Sequence, residues 1–272
     1  MSKYLFGSYV AIGDSLTEGL GDFDFEQNRI GCGWADRLAQ LLGKEAFEAG
    51  ENFDYANLSL RGSSLFEILT AQLEETLSLK PDLVTIMAGA NDFMRPRSQH
   101  PAMRALLRGA IERLLNEGSH VVVVNTVNPN HLRVFKPVVY KAREMNDLIN
   151  AVADEYGVPV LNVFDMNEFS DLKYWCDDRV HFSGHGHIRI ANEAASLLGL
   201  DHGFDELADY EIDEHNVGLV PTLKWFFSHV VPYIGRRIRR KSSGDGMEPK
   251  HTDYVRMVYK KTAKTPSRAY AA

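Results

Sequence analysis

Pro81-Asp82-Leu83-Val84-Thr85-Ile86-Met87-Ala88-Gly89-Ala90-Asn91-Asp92 runs from a proline through a nearly unbroken apolar stretch, 83–88, into a glycine-led polar cluster. A run of this length without polar alternation reads as a strand buried on both faces, and such a strand needs helices above and below it. The same alternation extends outward in both directions. Upstream, 9–12 and 54–58 read as strands. Between them, Trp34, Leu38, Leu41 and Leu42 share one helical face, and 65–79 is helical. Downstream, a helix over 102–115 leads to four consecutive valines, 121–124, a central strand. A helix over 138–156, a fifth strand over 158–163 and a last helix over 186–198 complete the series. Strand-length runs alternating with helical segments predict an α/β fold, a three-layer α/β/α sandwich with a five-stranded parallel sheet, over residues 1–200.

The chain has 272 residues, 44% hydrophobic and 25% charged, the composition of a globular protein with a well-filled core. One α/β domain leaves residues 201–272 as a C-terminal extension. From Arg236 onward, 11 lysines and arginines face Asp245, Glu248 and Asp253, in a chain of net charge −7, so an acidic body carries a basic tail. No stretch approaches the roughly 18 to 20 apolar residues that a membrane-spanning helix needs. The first apolar run leads straight into Gly13-Asp14-Ser15, so cleavage by a signal peptidase would remove or expose that turn. The two cysteines, Cys32 and Cys176, are too few for a disulfide scaffold and lack metal-site spacing. Both features predict a cytoplasmic protein.

Polar clusters follow the strands, where open α/β sheets gather their sites. Gly13-Asp14-Ser15 ends the first strand, 57–62 follows the second, Gly89-Ala90-Asn91-Asp92 ends the third and Asp178 to His181 follows the fifth. A glycine-led turn can present the Ser15 hydroxyl beside free backbone N–H groups. A serine needs a base within hydrogen-bond reach and a third group to hold that base. His181 is the candidate base. Asp178, three residues earlier, is within one turn of its Nδ1, which leaves Nε2 for Ser15; Asp177 fits that spacing less well. The oxyanion of a tetrahedral intermediate needs donors, and the Ser15 N–H, the Gly62 N–H and the Asn91 amide lie at the same sheet edge. Taken singly, Gly62 is equally a turn glycine and Asn91 equally a cap.

These blocks, Gly13-Asp14-Ser15-Leu16-Thr17-Glu18-Gly19, Asn57-Leu58-Ser59-Leu60-Arg61-Gly62, Gly89-Ala90-Asn91-Asp92 and Asp178-Arg179-Val180-His181, resemble the four ordered blocks of the SGNH, or GDSL, hydrolases. The resemblance covers roughly residues 8–199. It implies a flavodoxin-like fold and a catalytic triad of Ser15, His181 and Asp178. It also implies an oxyanion hole of Ser15, Gly62 and Asn91, and hydrolysis of small-molecule acyl esters with no metal and no cofactor. One departure is His185 in Phe182-Ser183-Gly184-His185-Gly186-His187: Gly186-His187 looks like the family's usual pair and His185 is extra.

That histidine pair, with Gly13-Asp14 and Gly89-Ala90-Asn91-Asp92, loosely resembles a two-metal phosphoesterase, a reading weakened because no Asp-x-His follows the first strand and no histidine follows Asn91. A non-catalytic binding protein on the same fold would carry the serine, histidine, aspartate and donors to no purpose.

In the extension, 201–214 is an acidic connector. Residues 217–241 join Leu219, Leu223, Trp225, Phe226, Phe227, Val230, Val231 and Ile234 to a basic cluster at 236–241. Such a segment can lie on an anionic membrane surface. Pro221 and Pro232 interrupt a long amphipathic helix and favour packing onto the domain instead. The basic tail has no recognition module beside it, which excludes nucleic acid as the expected partner. The loops 20–33 and 127–137, the latter with Asn128, Asn130, His131 and Arg133, shape the pocket. Acyl group, alcohol and oligomeric state are not legible in the sequence.

Overall fold

A computed structural model describes residues 5–24, 29–30, 32–92, 99–131, 136–201, 203–205, 244 and 246–259. The segment 217–241 lies outside them. The strands are β1 (Ser8–Gly13), β2 (Phe23–Asp24), β3 (Arg29–Ile30), β4 (Asp54–Asn57), β5 (Leu83–Met87), β6 (His120–Val124), β7 (Val160–Leu161) and β8 (Val255–Arg256). The helices are α1 (Ser15–Glu18), α2 (Trp34–Glu48), α3 (Leu65–Glu67), α4 (Leu73–Leu79), α5 (His100–Asn116), α6 (Lys136–Tyr156) and α7 (Gly184–Leu197), with a π turn over Ile68–Gln72 joining α3 to α4.

The main sheet has the order β7-β6-β5-β1-β4-β8, and β2 pairs with β3 separately. The first five of these strands are parallel. The chain leaves β1 for β4 on one side and then returns to β5 on the other, so the order reverses between β1 and β5. In open α/β sheets that reversal opens the crevice where ligands bind.

Strand period divides the core. Tyr9 and Ala11 of β1 join Trp34, Leu38, Leu42, Ile190 and Ala194 under α2 and α7. Val10 and Ile12 point the other way, into Ile68, Leu73, Leu107, Ile111, Ile149 and Val152 under α4, α5 and α6. All five residues of β5 are buried, as a central strand between two helical layers requires.

The expected five-stranded parallel sheet is corrected by the sixth strand, β8, which runs antiparallel to β4. Val255 and Arg256 are exposed and form no apolar run, so hydrophobic pattern could not reveal them. What holds them is polar. Met257 N–H donates to the Phe53 carbonyl, Arg256 grips Asp54 at 2.5 and 3.0 Å, and Lys250 Nζ lies 2.6 Å from Asp36 Oδ2. The Tyr259 hydroxyl donates to the Gln40 carbonyl over α2. β8 thereby covers an edge of backbone groups that would otherwise be open to pairing with another chain.

Candidate functional site

β1 ends in Gly13 with no room for a side chain: a Cβ there would lie 2.4 Å from Thr17 Oγ1 and 2.9 Å from the Met87 carbonyl. The chain turns at once into α1. Asp14 is its N-cap, with Oδ1 accepting from Leu16 N–H at 3.0 Å, and Ser15 is its first residue. Gln72, on the π turn, clamps the strand end. Its Oε1 accepts from Gly13 N–H and its Nε2 donates to the Gly13 carbonyl, both at 2.9 Å. A π turn shifts a side chain relative to a regular helix, and here it faces a buried amide toward the backbone two residues before Ser15.

The other blocks converge on this turn. Arg61 ties the loop after β4 to α1: its backbone N–H donates to Glu18 Oε2 at 2.7 Å and its guanidinium pairs with the same carboxylate. Gly62 follows at φ +77°, a backbone conformation that favours glycine. After β5, Asp92 Oδ2 accepts from Leu65 N–H at 2.7 Å. Asn91 Nδ2 donates to Asp14 Oδ2 at 3.0 Å and to the Ser63 carbonyl at 3.1 Å, joining the Ser15 turn to the Gly62 loop.

The last block sits at the tip of a short hairpin. Trp175 and Phe182 form an antiparallel bridge, Ser183 N–H donates to the Tyr174 carbonyl and Cys176 N–H to the His181 carbonyl. At the tip, Asp178 Oδ1 accepts from the N–H groups of Val180 and His181, each at 3.0 Å, and Oδ2 lies 2.5 Å from His181 Nδ1. His181 Nε2 lies 3.0 Å from Ser15 Oγ. Because a carboxylate only accepts, Nδ1 carries the proton and Nε2 is left as the acceptor for the serine hydroxyl. Burial pushes the Asp178 carboxyl up, but the hydrogen bond and charge of His181 and the two N–H groups outweigh it and hold it below its ordinary range. Asp14 differs. Burial drives its carboxyl up to about 6, against the Leu16 N–H and the charge of His181.

His187 has a structural task. Fully buried, it accepts from Trp34 N–H at Nδ1, 3.1 Å, and donates from Nε2 to the Leu20 carbonyl, 3.4 Å, so it fastens α7 to the start of α2 and to the end of the Ser15 turn. Burial, followed by the charge of Arg37, pushes its imidazole down to about 3, and the ring stays neutral. His185 lies buried in the first turn of α7. Among the described residues, no group of three or more His, Cys, Asp or Glu side chains could hold a metal ion.

Ser15, His181, Asp178 and Asn91 are thus brought together from three separate segments, the turn after the first strand, the turn after β5 and the hairpin before α7. Residue pattern alone missed Gln72 and the pairing of Glu18 with Arg61, and it placed His131 in a pocket-shaping loop without its partner, the Arg179 carbonyl, 2.9 Å from Nε2. One signal for Gln72 was available: it shares a buried helix face with Ile68, Leu69 and Leu73, where an amide is out of place without a partner.

The GDSL-like Lipase/Acylhydrolase family model matches residues 11–189. The chain belongs to that family. As a GDSL-like protein it is a hydrolase acting on esters. Among solved structures it resembles LAE5, an alpha/beta hydrolase enzyme from the metagenome of Lake Arreo, Spain, with 21% identity and TM-score 0.59, covering 71% of this chain and 95% of that one. A catalytic mutant of Axe2, an acetylxylan esterase from Geobacillus stearothermophilus, matches at 20% identity and TM-score 0.57, covering 71% and 94%. The lipase/acylhydrolase from Enterococcus faecalis matches at 19% and 0.55, covering 71% and 95%. These likenesses are of fold. No curated protein sequence matches the chain. Among the described residues, no helix is long and apolar enough to cross a membrane.

Proposed function

We propose that the protein is a serine ester hydrolase that cleaves small-molecule acyl esters through an acyl-enzyme on Ser15. The observation that carries this reading is the line Ser15 Oγ, His181 Nε2 and Nδ1, Asp178 Oδ2, with separations of 3.0 and 2.5 Å at its two hydrogen bonds. In the first step His181 takes the Ser15 proton as the oxygen attacks the acyl carbonyl, and Asp178 stabilises the imidazolium that results. His181 then gives the proton to the leaving alcohol, and water repeats the sequence to release the acid. The Ser15 N–H, the Gly62 N–H and the Asn91 amide receive the oxyanion. Both hydrogens of the Asn91 amide are engaged, by Asp14 and by the Ser63 carbonyl, so one bond gives way or is shared when the oxyanion forms.

Structural neighbours include an acetylxylan esterase and a lipase/acylhydrolase, which makes acetylated sugars and acyl esters the substrates to test. The free thiols of Cys32 and Cys176 agree with a reducing compartment, and we assign the protein to the cytoplasm. The test is hydrolysis of p-nitrophenyl acetate and longer p-nitrophenyl esters, acetylated xylooligosaccharides and acyl-CoA thioesters, with and without EDTA. Chelator-resistant cleavage that falls by roughly 10⁴-fold or more in Ser15→Ala is the expected result. Wild-type rates in Ser15→Ala, or phosphate-ester cleavage lost with EDTA and restored by manganese, would overturn the reading.

A further inference from the structure

We propose that His131 is a positioning residue that aims His181 at Ser15. The inference rests on the Ser15–His181–Asp178 reading, and it concerns the hairpin that carries two of those residues. Arg179, at the hairpin tip between Asp178 and His181, has φ +53°, a left-handed conformation that is unfavourable for a non-glycine residue. Such a turn holds only if its surroundings determine it. Local bonds do part of this. Arg179 N–H donates to the Cys176 carbonyl at 2.8 Å, and Asp178 Oδ1 takes the next two N–H groups.

The Arg179 carbonyl is held from outside the hairpin, by His131 Nε2 at 2.9 Å, from the loop that follows β6. The same imidazole stacks on Trp175 at the hairpin base, with ring centroids 4.0 Å apart and planes 26° apart. Trp175 is itself fixed, buried and donating its indole N–H to the Phe169 carbonyl at 2.8 Å. One ring therefore spans the hairpin from base to tip and sets the angle of the turn. Its chemistry suits a fixed strut. Among the described residues Nδ1 is buried without a hydrogen-bond partner, so the neutral tautomer with its proton on Nε2 satisfies the site. Burial pushes the ring down to about 4, and it stays neutral where a serine hydrolase works.

The side chain touches none of the reacting atoms, and its effect reaches Ser15 only through the direction of His181. A reactant misplaced by about 1 Å can cost about 100-fold in rate. The experiment compares wild type, His131→Phe and His131→Gln in the full chain, reading kcat and KM for p-nitrophenyl acetate across pH together with thermal unfolding. Phe keeps the ring on Trp175 and removes the donor; Gln places an amide N–H close to the position of Nε2. The expected result is a fall of roughly 10- to 100-fold in kcat for Phe, with KM within about twofold and the acid limb of the rate profile displaced. Gln should restore most of the loss. If Phe does not fold, His131→Asn replaces it, because its shorter amide does not reach the Arg179 carbonyl. Wild-type kcat in the donor-less variant overturns the proposal, as does equal loss in Gln and the donor-less variant. Ser15→Ala and His181→Ala run alongside: if either keeps the wild-type rate, the underlying reading has failed, whereas inactive controls beside a fully active His131→Phe sink the strut alone.

Discussion

The carboxylate of Asp14 lies 3.0 Å from the Asn91 amide nitrogen and is closed to solvent, with 1% of its surface exposed. It orients a proposed oxyanion donor at the cost of burying a charge. Burial raises its folded value from 3.8 to about 6. The native state therefore binds this proton more tightly than the unfolded chain. The resulting stability is fully present below the unfolded value and is lost as pH rises through about 6. Between pH 5 and pH 8 the loss through this group amounts to about 1 to 1.5 kcal/mol. Asp14→Asn should remove that component, visible as a flatter pH dependence in urea unfolding. It should also lower kcat by roughly 100-fold, because an amide N–H then opposes that of Asn91. An unchanged pH dependence, or full activity, would contradict this role.

Gln72 satisfies both the N–H and the carbonyl of Gly13, two residues from Ser15. Gln72→Leu fits the volume of a buried helix face but takes the partner of the Gly13 N–H away, at about 1 to 3 kcal/mol, whereas the Gly13 carbonyl keeps the Leu60 N–H at 3.2 Å. We expect about 1 to 3 kcal/mol of destabilisation by urea unfolding, the loss from one unpaired backbone N–H. A fall in kcat should accompany it. A neutral substitution would mean that the clamp is dispensable.

Gly186 opens onto the hairpin that carries Asp178 and His181: a Cβ there would lie 2.4 Å from the Tyr174 carbonyl. That contact is backbone, so the hairpin has to move. Gly186→Ala should cost about 1 to 3 kcal/mol, the range for overpacking, and lower kcat more than KM. Thermal unfolding together with steady-state kinetics checks both. Gly109→Ala, on α5 with open space at its Cβ, should be neutral or stabilising.

Much of this arrangement was legible as pattern. The β5 run, the valines of β6 and the amphipathic α2 carry their own periodicity, and Asp178 and His181, three residues apart, announce a turn that brings carboxylate to imidazole. What escaped lacks periodicity. β8 is two exposed residues held by backbone bonds and ion pairs, and no apolar signal marks it. Gln72, His131 and the Glu18–Arg61 pair act across chain separations that only the folded sheet closes. His187 has the opposite history: it stands out in a histidine pair, yet both ring nitrogens are spent on joining α7 to α2 and to the Leu20 carbonyl.

If Ser15 attacks the acyl carbonyl, its hydroxyl can be captured covalently. The wild-type protein is treated with a p-nitrophenyl alkylphosphonate, an electrophile that traps activated serines, and its peptides are mapped by mass spectrometry while esterase activity is followed. The expected result is one phosphonyl group per chain, on the peptide containing Ser15, formed in step with the loss of activity and absent in Ser15→Ala and His181→Ala. Loss of activity with the label on another residue, or an esterase that stays active once Ser15 is fully labelled, would contradict the claim.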